Sequence, residues 1–212
     1  MKKKVDIVKI LTILEEHYPV HVMNSKYYGE PYKVLVSCIL SLRNLDEITF
    51  PVAERLFQTA DNPYAIAKMS LEELKVKIKS INFYITKAEN IKNITDILIE
   101  KYDGKVPSDM DELLAFKGVG RKTANIVRSV GYKMPVIAVD VHVHRISNRL
   151  GLVKTKEPEQ TEYALTKIVP DEYKRKINQL FVLHGKSICK SRKPHCDICP
   201  IINYCNQVNV NI

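Results

Sequence analysis

Apolar residues recur along this chain with the spacing of helices. Near the start, Ile7, Ile10, Leu11, Leu14 and Tyr18 fall on one helical face, and Tyr84, Ala88, Ile91 and Leu98 do so further on. Both stripes predict amphipathic helices that turn their apolar faces into a core. Start signals agree with them: Ser70 and Glu73 form a capping box opening a helix from Leu71 to Ser80, and Asp46 stands where it can cap a helix through Leu56. Short polar connections such as Asp61-Asn62-Pro63 and Tyr102-Asp103-Gly104 separate the helices. Only Pro135 to Val139 is strand-like, and it is short and isolated. With no alternating run and no hairpin signal, the pattern predicts an all-α fold. It shows no internal repeat, low-complexity stretch or obvious linker.

One break in the periodicity has its own chemistry. In Leu114-Ala115-Phe116-Lys117-Gly118-Val119-Gly120-Arg121-Lys122-Thr123-Ala124, an apolar helical turn runs into two glycines, and a new helix follows with Ala124, Ile126, Val127 and Val130. The glycines permit a tight hairpin between helices and leave backbone N–H groups uncovered at a helix N-terminus, where phosphate binds well. A nucleotide-binding P-loop does not fit, because Arg121 separates Gly120 from Lys122 and the first glycine of that motif is missing. A dinucleotide fingerprint fails for want of a preceding strand and a third glycine. What remains is a helix-hairpin-helix touching a nucleic-acid backbone, or a plain turn between two helices.

Two residues near the hairpin are candidates for chemistry. Lys122 lies in the first turn of its helix, where the dipole and Arg121 both oppose protonation, so its amine can serve as a nucleophile; the simpler role is a phosphate contact. Asp140 ends the apolar run and precedes Val141-His142-Val143-His144-Arg145, so its simple role is an N-cap. A capping carboxylate that faces a cavity can also stabilise a cationic transition state. His142 and His144 alternate with valines and give no ground for a metal site.

The last residues carry Cys189-x6-Cys196-x2-Cys199-x5-Cys205. Thiols so close together in a basic, polar segment point to a metal site, either a zinc ion or an iron–sulfur cluster. Structural zinc usually takes two Cys-x-x-Cys pairs, whereas here only Cys196 and Cys199 are so spaced, which favours the cluster. An odd cysteine count of five, and no apolar secretory segment after Met1-Lys2-Lys3-Lys4, argue against disulfides and for a reducing, cytoplasmic setting. The fifth, Cys38, sits in an apolar run and reads as a core residue.

Length and charge narrow the partners. The 212 residues can bury one sizeable core or two small ones, and a net charge of +9 with a pI near 9.2 suits a polyanion. No apolar stretch approaches the roughly 18–20 residues that a spanning helix needs, so no membrane is expected. Nothing indicates an oligomer, and a monomer is the default expectation.

Taken together, the hairpin Lys117 to Ala124, the segment Ile137-Ala138-Val139-Asp140-Val141-His142, the later Leu183-His184-Gly185-Lys186 and the terminal cysteines resemble the endonuclease III family, within the helix-hairpin-helix DNA glycosylases. The resemblance covers nearly the whole chain. It implies two helical domains flanking a DNA-binding cleft: a six-helix domain over 21–134 that contains the hairpin, and a discontinuous domain of 1–20 plus 135–212. Cys189, Cys196, Cys199 and Cys205 would hold a [4Fe–4S] cluster, and Lys190, Arg192 and Lys193 would form a basic finger on the DNA backbone. Lys122 would attack C1′ of a damaged nucleotide turned out of the stack, and Asp140 would stabilise the developing oxocarbenium charge. The implied enzyme is a base-excision-repair glycosylase and abasic-site lyase acting on oxidised pyrimidines in double-stranded DNA, cytoplasmic and nucleoid-associated in a prokaryote. Gly118, Gly120 and Arg121 would carry the hairpin's DNA contacts.

Departures from the family pattern bear on substrate choice. Lys117 stands where the family often has Pro. Arg43 replaces a Gln that fills the gap left by the flipped nucleotide, and a guanidinium there suits guanine on the opposite strand. Asn82-Phe83 replaces Gly-Leu, setting Phe83 as an aromatic wedge or as a core residue. Two other functions stay open: a uracil or thymine mismatch glycosylase, which Arg43 would suit, and a noncatalytic DNA-binding scaffold.

Overall fold

A computed structural model describes residues 5–18 and 27–210; the lysines at the start of the chain and the expected domain boundary at residues 20/21 lie outside them. Among the described residues every regular element is helical. The α-helices are α1 (Ile7–His17), α2 (Pro31–Ser41), α3 (Asp46–Thr59), α4 (Pro63–Lys68), α5 (Leu71–Lys77), α6 (Tyr84–Tyr102), α7 (Met110–Leu114), α8 (Arg121–Ile126), α9 (Val141–Leu150), α10 (Pro158–Ile168) and α11 (Asp171–Ser187). Two compact units result, one of Tyr27–Tyr132 and one of Met1–Lys26 with Lys133–Ile212.

In the first unit α6 is the spine. Its 19 residues contain no Gly or Pro, and its apolar stripe of Ala88, Ile91, Ile94 and Leu98 is buried against Leu35, Ile39 and Leu40 of α2, Val52 and Leu56 of α3, Ile66 and Leu74. Fully burying each such side chain contributes roughly 1.5–3 kcal/mol. Two lysines of α6 cap neighbouring helices: Lys92 Nζ donates to Ile66 O, Ala67 O and Met69 O at the end of α4, and Lys87 does the same for α2. These satisfy carbonyls that the last helical turn leaves without partners. The capping box of Ser70 and Glu73 forms as expected, although α5 stops at Lys77. Asp46 does not cap α3: Leu45 occupies the cap position and Asp46 is the first helical residue. Cys38 packs at the edge of this core, and burial pushes its thiol up to about 12.

The second unit packs α1, α9, α10 and α11 around Ile10, Leu11, Leu14, Val143, Ile146, Leu150, Leu165, Ile177, Leu180 and Phe181. Contact of α9 with α11 is close at Gly185, where an added Cβ would stand 2.3 Å from His142 Nδ1. The strand-like run before α9 joins no ladder; Ile137, Ala138 and Val139 are buried, and Ala138 O accepts from Asn178 Nδ2 at 2.8 Å. No helix among the described residues is long and apolar enough to cross a membrane.

Candidate functional site

The hairpin is built on two buried anchors. Asp109 caps α7 by accepting from the N–H groups of Asp111 and Glu112 at 2.9 and 3.2 Å, Phe116 and Val119 enter the core, and Val119 N donates to Phe116 O at 3.0 Å. Between the anchors Gly118 takes φ +86°, in the left-handed region, and a Cβ there would meet Asn90 Nδ2 at 2.8 Å. Gly120 differs: its backbone is extended at φ −103°, and a Cβ would find nothing within 4 Å. The fold therefore requires a glycine at 118 but not at 120. Helix α8 follows, with Thr123, Ala124 and Asn125 buried and Lys122 exposed on its first turn; Arg121 is half-buried. It runs on as a π-helical turn, Val127–Gly131, a feature that recurs at functional sites.

Arg43 and Phe83 come together in the same unit. Both are exposed, both have left-handed backbone (φ 55° and 60°), and the Arg43 guanidinium lies 5.8 Å from the centre of the Phe83 ring. Phe83 is not a core residue: 60% of its surface is open.

In the other unit Asp140 is the N-cap of α9. One carboxylate oxygen accepts from the N–H groups of His142 and Val143 at 2.9 and 3.0 Å, which fixes the side chain's direction. The four C-terminal cysteines line one cavity together with Ile146, Leu150, His184, Ile188, Ile201 and Ile202, and none is in a disulfide. Among the described residues no three His, Cys, Asp or Glu side chains are placed to hold a single metal ion. Four thiols lining one apolar cavity supply the donor set of a metal centre, and their spacing along the chain favours a cluster. Burial pushes the Cys199 thiol up to about 11.

Several supports of this loop were not singled out from the sequence. Arg149 Nη1 donates to Cys189 Sγ at 3.4 Å and to Lys190 O at 2.6 Å, and its Nη2 to Ser191 O at 2.9 Å. Arg145 Nη2 donates to Cys189 O at 2.9 Å, and the N–H of Gln207 to Cys205 Sγ at 3.3 Å. His184 Nε2 lies 3.6 Å from Cys199 Sγ, while its Nδ1 meets Tyr18 OH at 3.2 Å. The spacing of the arginines by four on α9 puts both on one face, but it does not name the partners they reach across the fold. Lys190, Arg192 and Lys193 are exposed on the loop that Arg149 holds.

Comparison with known proteins matches these elements. A family model described as HhH-GPD superfamily base excision DNA repair protein covers residues 36–171, and one described as the iron-sulfur binding domain of endonuclease III covers residues 189–205. Endonuclease III of Thermotoga maritima is 49% identical over 176 residues, 83% of each chain. The chain belongs to the endonuclease III family. Its cofactor is accordingly a [4Fe–4S] cluster, and the matched segment is the one the four cysteines span. Escherichia coli K12 endonuclease III is 38% identical over 198 residues, 93% of each chain. A solved structure of a trapped endonuclease III–DNA covalent intermediate superposes with a TM-score of 0.81 at 36% identity, over 95% of this chain and 94% of that one. A thermostable thymine-DNA glycosylase, with a TM-score of 0.82 at 24% identity and the same coverage, shares the fold.

Proposed function

We infer that this protein is a base-excision DNA glycosylase with abasic-site lyase activity, that Lys122 is its nucleophile, and that its substrate is an oxidised pyrimidine in double-stranded DNA. Membership of the endonuclease III family carries the glycosylase and lyase class, and DNA as partner. The observation that carries the residue assignment is the exposed amine of Lys122 directly after a hairpin whose Gly120 stands in open space, where a sugar–phosphate backbone can come close. A covalent enzyme–DNA intermediate has been trapped for a relative of the same fold, and a lysine amine is the group that forms one at C1′.

In this reading, the Lys122 amine attacks C1′ of the extruded nucleotide as the C1′–N bond to the base breaks and its electron pair leaves with the base. Ring opening of the sugar gives a Schiff base between Lys122 Nζ and C1′. The iminium acidifies the C2′ hydrogen, and loss of that proton expels the 3′ phosphate by β-elimination. Asp140, held by its two cap bonds, contributes a carboxylate that stabilises cationic character at C1′. Gly118, Gly120 and Arg121 present backbone N–H groups and charge to phosphates, and the loop with Lys190, Arg192 and Lys193 does so from the other unit. Cys189, Cys196, Cys199 and Cys205 would hold the cluster, on a loop that Arg145 and Arg149 tie to α9. The protein is proposed to act as a monomer in the compartment that holds the chromosome.

Borohydride trapping tests the assignment. Duplexes bearing an oxidised pyrimidine, uracil opposite guanine, or a preformed abasic site are offered to the protein and to Lys122→Gln. A covalent adduct with the oxidised pyrimidine that disappears in Lys122→Gln is the expected result. Adduct retained in that variant would remove Lys122 as the nucleophile, and adduct with uracil alone would reassign the substrate to mismatches.

A further inference from the structure

The exposed pair of Arg43 and Phe83 is held by a network that the chemistry above does not use. Lys87 lies one turn into α6 from Phe83 with its side chain buried, and its Nζ donates to Leu40 O at 2.8 Å and Leu42 O at 2.6 Å. Asn44 Nδ2 donates to the same two carbonyls at 3.1 and 3.2 Å. From the α6 side, Asn82 N donates to Asn44 Oδ1 at 3.0 Å and Asn82 Nδ2 to Arg43 O at 3.2 Å. Residues 42–45 and 81–83, far apart in sequence, are thereby made one body.

That body holds its two exposed residues in an unusual state. Left-handed backbone is unfavourable for residues with a Cβ and persists only where surroundings enforce it. Here the enforcing bonds are those of Lys87, Asn44 and Asn82. An arginine and a phenylalanine kept in contact, both strained and both open to solvent, serve something outside the fold. Lys92 is a built-in comparison: it caps α4 from the same helix with three carbonyl bonds, but α4 carries no such pair.

We propose that Lys87 is a positioning residue for opening the duplex. By clamping the end of α2 to α6 it would set Arg43 and Phe83, at the positions to which the family resemblance assigns gap filling and wedging, as one rigid body facing the orphan base opposite the extruded nucleotide. The ring supplies a stacking face, and the guanidinium supplies donors to the base edge. The inference rests on the DNA-repair reading above and concerns how duplex is opened, not the covalent step.

The test uses the full, cluster-loaded protein and two substrates in single-turnover borohydride trapping. One is a continuous duplex with a preformed abasic site facing a normal base; the other places the same site opposite a one-nucleotide gap, so no orphan base must be held. Lys87→Met is expected to slow trapping on the continuous duplex about tenfold or more, with less than about threefold change on the gapped one, because misplacing a positioning group costs rates on that scale. Lys87→Arg, which can still donate to both carbonyls, is expected to recover part of the loss, and Lys92→Met to leave the ratio between substrates unchanged. Asn82→Ala removes only an exposed side chain and should give the same substrate-dependent pattern at smaller size, which keeps the test valid if Lys87→Met folds poorly. Equal losses on both substrates in Lys87→Met and Asn82→Ala, or the same ratio change in Lys92→Met, would overturn the proposal. Wild type trapping neither substrate would instead overturn the nucleophile assignment beneath it, and the wedge would fall with it.

Discussion

The two hairpin glycines separate what the fold needs from what a bound backbone needs. Alanine at 118 must adopt φ +86°, which costs roughly 1–2 kcal/mol for an L-residue, and its Cβ must also displace the buried Asn90 amide from 2.8 Å. A loss of about 2 kcal/mol or more in unfolding free energy is expected for Gly118→Ala. At 120 the backbone is extended and a Cβ meets no atom within 4 Å, so alanine is accommodated without strain. Removing a glycine's freedom in the unfolded chain stabilises by about 0.4–1 kcal/mol, but Gly120 is the N-cap of α8, where alanine is worse than glycine by about the same amount, so Gly120→Ala should stay within about 1 kcal/mol of wild type. Binding should fall by more. A methyl group that holds a phosphate off the hairpin N–H groups forfeits a hydrogen bond to a charged acceptor, worth about 1.5–3 kcal/mol. That is roughly a tenfold to hundredfold weaker complex. Urea denaturation reads the stability, and fluorescence anisotropy with a duplex carrying a non-cleavable abasic analogue reads the binding. Unchanged affinity in a stable Gly120→Ala would show that the backbone does not approach there, and destabilisation as large as that of Gly118→Ala would show that the site is not open.

Other perturbations follow from the same geometry. Asp140→Asn keeps an N-cap acceptor while losing the charge, so its stability should stay within about 0.5 kcal/mol while turnover falls, whereas Asp140→Ala should also lose about 1 kcal/mol; thermal unfolding beside single-turnover cleavage separates the two, and equal turnover in wild type and Asp140→Asn would leave the residue a cap alone. Burial pushes the Lys87 amine from 10.5 down to about 8, so between these values the unfolded chain binds more protons than the folded one and stability rises with pH. Compared with Lys87→Met, wild type should therefore gain about 2 kcal/mol between pH 7.5 and 9.5 at roughly 1.4 kcal/mol per unit; a flat difference in denaturation midpoints would contradict it. Arg149→Met removes three bonds to the segment Cys189 to Ser191, so a chelator should bleach the cluster's visible absorbance faster than in wild type. Equal bleaching rates would deny Arg149 that part.

The sequence shows some of this plainly, and the physical reason is locality. The stripe of α6, the Ser70–Glu73 box, the glycine hairpin and the cysteine spacing each depend on residues within a few positions of one another, so a linear reading captures them. Asp46 misled because Leu45 left the preceding position without a capping side chain, and the helix simply began at Asp46. The uses of Lys87, Arg145, Arg149 and His184 were not legible, since each serves a partner that only the fold brings near: Lys87 reaches carbonyls 45 and 47 residues away, and Arg149 a sulfur 40 residues away. Phe83 shows the same limit from the other side. Its type fits a core or a wedge equally well, and only the fold shows that the ring is exposed and not in the core, on a backbone at φ 60°. Nothing in the residue's own neighbourhood requires that conformation; the bonds of Asn82 to Arg43 and Asn44 accompany it. Arg43 and Asn82-Phe83 are linked twice: Asn82 Nδ2 donates to the Arg43 carbonyl, and the Arg43 guanidinium contacts the neighbouring Phe83 ring. Substituting either Arg43 or Phe83 alone would leave the other without its partner, so the effects of the two substitutions on opposite-base choice should be coupled rather than additive.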